Sequence, residues 1–127
     1  GHRVIGLAYG EAVSGGFLAG GMMADVTVAL PEAQVQVMDL AAMARVMRVP
    51  PERLRELAAS SPVFAPGAES FLKLAGIAEI WTGDLSAHLQ RVLKVPPQPT
   101  DDRAEMALAR GGRMQAASVI ARVRQHG

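Results

Sequence analysis

The sequence contains no cysteine, and that absence excludes disulfide bridges, thiolate catalysis and zinc-thiolate sites together. An excess of either charge is also missing: 13 Lys and Arg stand against 12 Asp and Glu, a formal net charge of +1. Nucleic-acid and membrane-surface partners select for a concentrated basic face, so neither is expected. Arginines do gather late, at Arg110, Arg113, Arg122 and Arg124, but Asp101, Asp102 and Glu105 precede them. No apolar run approaches the ~20 residues a membrane span needs, because Gly, Asp or Pro interrupts each one. The opening residues Gly1 to Gly6 lack the continuous apolar segment and cleavage site of a signal peptide. A soluble cytoplasmic protein is therefore the expectation. Aromatics are scarce too: Tyr9, Phe17, Phe64, Phe71 and Trp81 are all there are.

What is present is enough apolar material for one core, since half of the 127 residues are hydrophobic. Methionine occurs seven times (Met22, Met23, Met38, Met43, Met47, Met106 and Met114), which suits either a core or an adaptable partner surface. Residues 3–9 read as a short buried strand, yet few strand candidates follow, and a strand needs neighbours. The chain is thus expected to be a piece of something larger, either a fragment or a subunit completed by a partner.

Along the chain, residues 10–16 read as a tight glycine-bearing connection and residues 17–24 as a small-residue helix. Residues 25–30 and 33–37 alternate as strands. From Asp39 the period becomes helical: Asp39 caps Leu40 to Met47, and Pro50-Pro51-Glu52 opens a helix whose apolar face is Leu54, Leu57 and Ala58. Residues 60–67 are a loop, Ser70 to Leu74 a short helix ended by Gly76, and Ile77 to Thr82 a strand carrying Trp81. Asp84 caps Leu85 to Leu93. Val95-Pro96-Pro97-Gln98-Pro99 is the clearest break, a stiff polyproline spacer dividing residues 1–95 from a helical segment over 96–127. Thr100 or Asp101 caps that segment, and Gly111-Gly112 is placed to split it in two.

The stretch richest in chemistry is Gly10-Glu11-Ala12-Val13-Ser14-Gly15-Gly16-Phe17-Leu18. A strand runs into two adjacent glycines and then a helix, where unpaired backbone N–H groups can grip an oxygen that carries negative charge. Glycine lets a ligand come close. The alternative is that Gly15 and Gly16 serve only tight strand-to-helix packing.

This run, with Ala24 to Ala33 after it, resembles the Gly-Glu-Gly-Gly-Ser-Gly-Gly-Ala-Leu-Ala stretch of carboxyltransferase alpha subunits in the crotonase superfamily. Gly10 to Met47, including Met43-Ala44-Arg45-Val46, is most similar to gamma subunits of biotin-independent malonate decarboxylase. The likeness runs more loosely through Phe71-Leu72-Lys73-Leu74 and Gly76 to the arginine-rich tail. Ala12-Val13 departs from the pattern, standing where carboxyltransferases carry two glycines.

The resemblance implies an α/β crotonase-like fold, a spiral of βαβ units of which only the C-terminal half is in hand. It implies a subunit of a malonyl-thioester decarboxylase that releases carbon dioxide and leaves an acetyl-thioester, inactive without its partner. A homologous beta-type subunit would hold the thioester carbonyl. The N–H groups of Gly15 and Gly16 would orient the carboxylate, with Ser14 and Glu11 as further site candidates. The substrate would ride on an acyl carrier protein loaded by an acyltransferase subunit, with no metal and no cofactor bound by this chain.

Three other readings compete. The alpha-type half of a biotin-dependent acyl-CoA carboxyltransferase shares the glycine turn. A serine peptidase of the same fold would use Ser14, but it needs a histidine base after Leu30-Pro31-Glu32-Ala33-Gln34-Val35, and Gln36-Val37-Met38-Asp39 supplies none. His2 and His126 lie near the ends, and His88 reads as a surface residue of a helix. A non-catalytic interaction subunit is the third. Tyr9 reads as packing or site; Arg45 and Arg48 share a helical face that could meet an acidic carrier protein or its phosphate, as could the basic tail.

Overall fold

The pattern after Arg3 does form a strand, β1 at Ile5–Ala8, but its neighbours are arranged less simply than the alternation implies. The computed structural model describes residues 2–96 and 100–126. After β1 come β2 (Glu11–Val13), α1 (Ser14–Ala19), a 3-10 turn (Gly21–Met23), β3 (Val26–Ala29) and β4 (Gln34–Gln36). Then follow α2 (Leu40–Met47), α3 (Pro51–Ser60), α4 (Ala68–Lys73), β5 (Glu79–Ile80), α5 (Leu85–Lys94), α6 (Arg103–Ala109) and α7 (Ala116–His126).

The strands fall into two parallel sheets. One has the order β1-β3-β5, with Ile5 opposite Val26 and Val28 opposite Glu79; the other pairs β2 with β4. Residues 10–16 are therefore not a plain connection, because they hold a strand and the start of a helix. Residues 77–82 give only the two paired residues of β5, since this sheet needs just enough of a third strand to satisfy β3. The segment 33–37 finds its partner in β2, not in β3.

Side-chain alternation on β3 separates two cores. Ala29 joins Ala8, Ala33, Val35, Ala68, Phe71 and Ile77 on one side, with Phe17, Leu18 and Met22 packed against them. Val28 points the other way, to Trp81 and Val92. Leu54, Ile77, Val28 and Val35 are fully buried, and each stabilises the fold by roughly 1.5–3 kcal/mol. The alanines let helices approach closely, and Phe17 meets Phe71 edge-on at 5.9 Å between ring centroids.

Caps follow the sequence. Asp39 accepts from the Ala42 N–H at 2.7 Å, and Asp84 accepts from those of Ser86 and Ala87. Leu54 is buried and Leu57 and Ala58 half-buried, as the pattern on α3 requires. The last helical segment does divide at Gly111-Gly112, into α6 and α7, but its N-cap is Asp102 rather than Thr100 or Asp101. Asp101 instead accepts from Arg103, through both its backbone N–H and its guanidinium. Of the proline spacer expected at residues 95–99, Pro97, Gln98 and Pro99 lie outside the described residues.

The arginines of this segment are not one basic surface. Arg110 turns inward and donates to the carbonyls of Leu72, Ile77 and Ala78 at 2.8–3.2 Å. A guanidinium suits this use, because its forked donors reach several carbonyls at once, one at the end of α4 and two in the segment leading to β5. At the other end, Arg3 donates to the carbonyls of Val92 (2.6 Å) and Val95, which ties β1 to the end of α5.

A strained serine turn beside an apolar cavity

The chain leaves β1 through Gly10, whose φ of +58° is open to glycine at little cost. The Gly10 carbonyl accepts from the Gln34 N–H at 2.7 Å, which seats β2 against β4. β2 lasts three residues, with Glu11, Ala12 and Val13 opposite Gln34, Val35 and Gln36. Ser14 then takes φ +69°, a left-handed conformation that costs a residue bearing a Cβ, and α1 starts on it. The strand–serine–helix turn is thus sharper than its sequence implies.

Ser14, Gly15 and Gly16 are consecutive on the first turn of α1, and all three are exposed. The N-cap is Val13, and no side chain caps the turn, so these first-turn N–H groups have no partner within the helix. Among the described residues, a Cβ built on Gly15 or Gly16 would meet no atom within 4 Å beyond its neighbours and its own helix backbone, and neither residue has a positive φ. Close packing within this chain is therefore not why these two are glycines. Glu11 is exposed; its side chain shares a strand face with Val13, opposite Ala12, which packs on the alanine-rich core.

Other candidates are placed apart. Tyr9 is 71% exposed, so it is not a packing residue of this chain. Arg45 and Arg48 are exposed at the end of α2, where Arg48 is the left-handed C-cap. His88 is not a plain surface residue: its ring stacks on Trp81 at 5.4 Å, and its Nε2 lies 2.9 Å from the Thr82 carbonyl. Trp81 belongs to the core that Val28 faces, whereas α1 packs on the core that Ala29 faces. His88 is thus across the sheet from Ser14. His2 sits by Leu93 and Lys94 at the end of α5, and the side chain of His126 is outside the described ones. Among the described side chains, no histidine serves Ser14 as a base, and an unactivated serine is a weak nucleophile.

Sequence reasoning missed the cavity beside this turn. It measures about 320 Å³ and is walled by Leu18, Met22, Met38, Met43, Phe71 and Leu74, with Arg113 as the one charged side chain in its lining. Gln36, also in the wall, is the register partner of Val13, the residue before Ser14. Leu18 lies one helical turn beyond Ser14 on α1. The turn and the cavity therefore share α1, and Gln36 of the cavity wall lies on the strand paired with β2. The methionines at 22, 38 and 43 were the available signal, but their convergence depends on non-local packing.

A polar cluster lies elsewhere, around β5. Arg91 forks onto Glu79, which also accepts from the Trp81 indole at 2.9 Å. Those bonds, led by the one from Arg91, hold the Glu79 carboxyl below its ordinary range against the opposing effect of partial burial. Among the described residues, no group of three or more His, Asp or Glu side chains gathers as a metal site needs, and no helix is long and apolar enough to cross a membrane.

The sequence profile of malonate decarboxylase gamma subunits matches residues 1–127, the whole chain. The chain belongs to that family. Among relatives of this gamma-subunit family member, the malonyl-S-ACP:biotin-protein carboxyltransferase MADD of Malonomonas rubra is 36% identical over 83 residues, which is 63% of this chain and 28% of that protein. Two Pseudomonas malonate decarboxylase structures share its fold. One, a hetero-tetramer with coenzyme A, superposes at a TM-score of 0.67 with 28% identity, covering all of this chain and 53% of the solved one. The other, an MdcD-MdcE hetero-dimer, gives 0.58 with 31% identity, covering 99% and 51%. The chain thus spans about half the length of the solved chains it matches. The fold it shares with them is mixed α/β, built from helices and short parallel strands.

Proposed function

We propose that this chain is the gamma-type half of a malonyl-thioester decarboxylase with a crotonase-like fold, paired with a homologous beta-type subunit. The observation that carries the reading is the Ser14-Gly15-Gly16 turn: strained, exposed, uncapped, and with none of the described residues over the two glycines. A turn left bare in this way suits a surface that a partner and a substrate complete together.

In the reaction, the bond between C2 of the malonyl group and its carboxylate carbon breaks and carbon dioxide leaves. The electron pair passes to the thioester carbonyl as an enolate, and C2 then takes a proton from water. Bond breaking is easiest when the carboxylate stands out of the plane of the thioester. Holding it there is positional work, which the N–H groups of Gly15 and Gly16 supply at fixed points of the helix start. The beta-type subunit holds the carbonyl oxygen that becomes negative, where each well-placed donor lowers the barrier by ~3–4 kcal/mol. Ser14 and Glu11 border the carboxylate. The substrate is carried on an acyl carrier protein loaded by an acyltransferase subunit, and this chain binds no cofactor. The site is cytoplasmic.

One finding favours a second reading, the alpha-type half of a biotin-dependent carboxyltransferase, because the Malonomonas rubra relative is named for transfer to a biotin protein. In that case the carbon dioxide is handed on instead of released. The test is to assemble the protein with its beta-type partner, add a biotin-bearing acceptor protein, and follow both consumption of a malonyl-carrier thioester and carbon dioxide release, with and without avidin. Release that avidin leaves unchanged supports decarboxylation. Avidin-sensitive turnover selects the carboxyltransferase, and no turnover in the assembled complex defeats both.

A further inference from the structure

The cavity beside the turn is larger and more apolar than malonyl requires. Between its two polar ends a malonyl group offers one methylene, whereas the cavity measures about 320 Å³ and its wall is chiefly methionine, leucine and phenylalanine. At roughly 30 Å³ for each water-sized group, that space accepts about ten non-hydrogen atoms. Its size lies within the range of small-molecule pockets.

The position decides which group would enter it. Gln36 in the wall is the register partner of Val13, and Leu18 stands one turn along α1 from Ser14. A malonyl group held at the Ser14-Gly15-Gly16 turn therefore sits on the helix whose next turn, at Leu18, walls the cavity. Met22, Met38 and Met43 are unbranched and adaptable, so the wall can close on chains of different length.

We propose that the cavity receives an alkyl substituent on C2, so that the site decarboxylates 2-alkylmalonyl thioesters as well as malonyl thioester. This rests on the decarboxylase reading above. The chemistry is unchanged: the C2–carboxylate bond breaks, carbon dioxide leaves, the electron pair moves to the thioester oxygen, and water returns a proton to C2. The product is the chain-extended acyl thioester, for example hexanoyl from 2-butylmalonyl. Burial of apolar carbon favours the substituted substrate by about fourfold per methylene in kcat/KM, up to the capacity of the cavity.

The experiment uses the assembled complex with malonyl and 2-butylmalonyl thioesters of N-acetylcysteamine, following carbon dioxide release. Both are expected to react, with kcat/KM for the butyl compound at least tenfold above that for malonyl. Met43→Trp, which fills the cavity from α2, should leave the malonyl rate within about twofold and cut the butyl rate at least tenfold. If Met43→Trp fails to assemble, Met38→Trp fills the same space from beyond β4 and should give the same pattern. Turnover of malonyl without 2-butylmalonyl overturns the cavity assignment and leaves the decarboxylase reading intact, as does an equal loss of both rates in the filled variant. Turnover of neither by the unmodified complex overturns both.

Discussion

Three Gly-Gly pairs stand in this chain, and the structure uses two of them, Gly15-Gly16 and Gly111-Gly112, in opposite ways. Gly15-Gly16 opens α1, and a Cβ on either would meet nothing. Gly111-Gly112 follows α6; Gly111 has φ +71°, and a Cβ on Gly112 would overlap the backbone carbonyl of Lys73. The second pair is keyed into the end of α4, next to Arg110, whose guanidinium grips the carbonyls of Leu72, Ile77 and Ala78 between α4 and β5. The first pair is keyed into nothing among the described residues. An identical dipeptide is thus a packing device at one end and a bare surface at the other, and substitution can separate the two roles.

The largest effect is expected at Gly112→Ala. The overlapped atom is backbone, so α6 must lift from α4, and stability should fall by about 3 kcal/mol in urea unfolding. A loss below about 1 kcal/mol would break the comparison at its packing end. Arg110→Met should cost about 2 kcal/mol, because three carbonyls lose charge-assisted partners while the side-chain volume is kept.

The open pair should respond with the other sign. Gly15→Ala and Gly16→Ala place a methyl in free space on a helix, where alanine is favoured over glycine by up to ~1 kcal/mol. Ser14→Gly should also stabilise, by roughly 1 kcal/mol, since the left-handed backbone no longer carries a Cβ. Thermal melts of the three variants check both expectations. A drop in any of them means that the turn is held by contacts of its own.

The smallest effect is electrostatic. Arg103 hydrogen-bonds Asp101 and lowers its carboxyl from 3.8 to about 2, and Arg91 likewise lowers Glu79. A folded-state carboxyl held low stabilises the fold above its unfolded pKa and loses that contribution as pH falls through the folded value. For Asp101 the loss lies between pH 3.8 and about 2, and for Glu79 it begins below the ordinary 4.5. Both pairs are largely exposed, so the effect should be small and should fade with salt. Urea unfolding across acidic pH at low and high salt measures it, and Glu79→Gln should remove its share.

How legible this was from sequence depends on the range of the interaction. Caps at Asp39 and Asp84, the apolar face of α3 and the break at Gly111-Gly112 are local, and each is readable in a few residues. The split into two sheets was not, because β2 is three residues long and is a strand only by virtue of β4, over twenty residues later. Ser14 gives no local sign of its left-handed φ, which the β2–α1 geometry imposes. Likewise Arg110 reads as one more basic residue of a tail until the end of α4 is brought to it. The cavity draws its wall from residues 18 to 113, a span that no motif encodes.

The central claim is that the bare glycine turn works on the substrate and not on the fold. The most direct measurement is carbon dioxide release from malonyl thioester by the assembled complex carrying Gly15→Val or Gly16→Val, with assembly verified by native mass. The account predicts a loss of roughly 10² in kcat from at least one variant, with the complex intact. Release at the unmodified rate from both intact variants would contradict it.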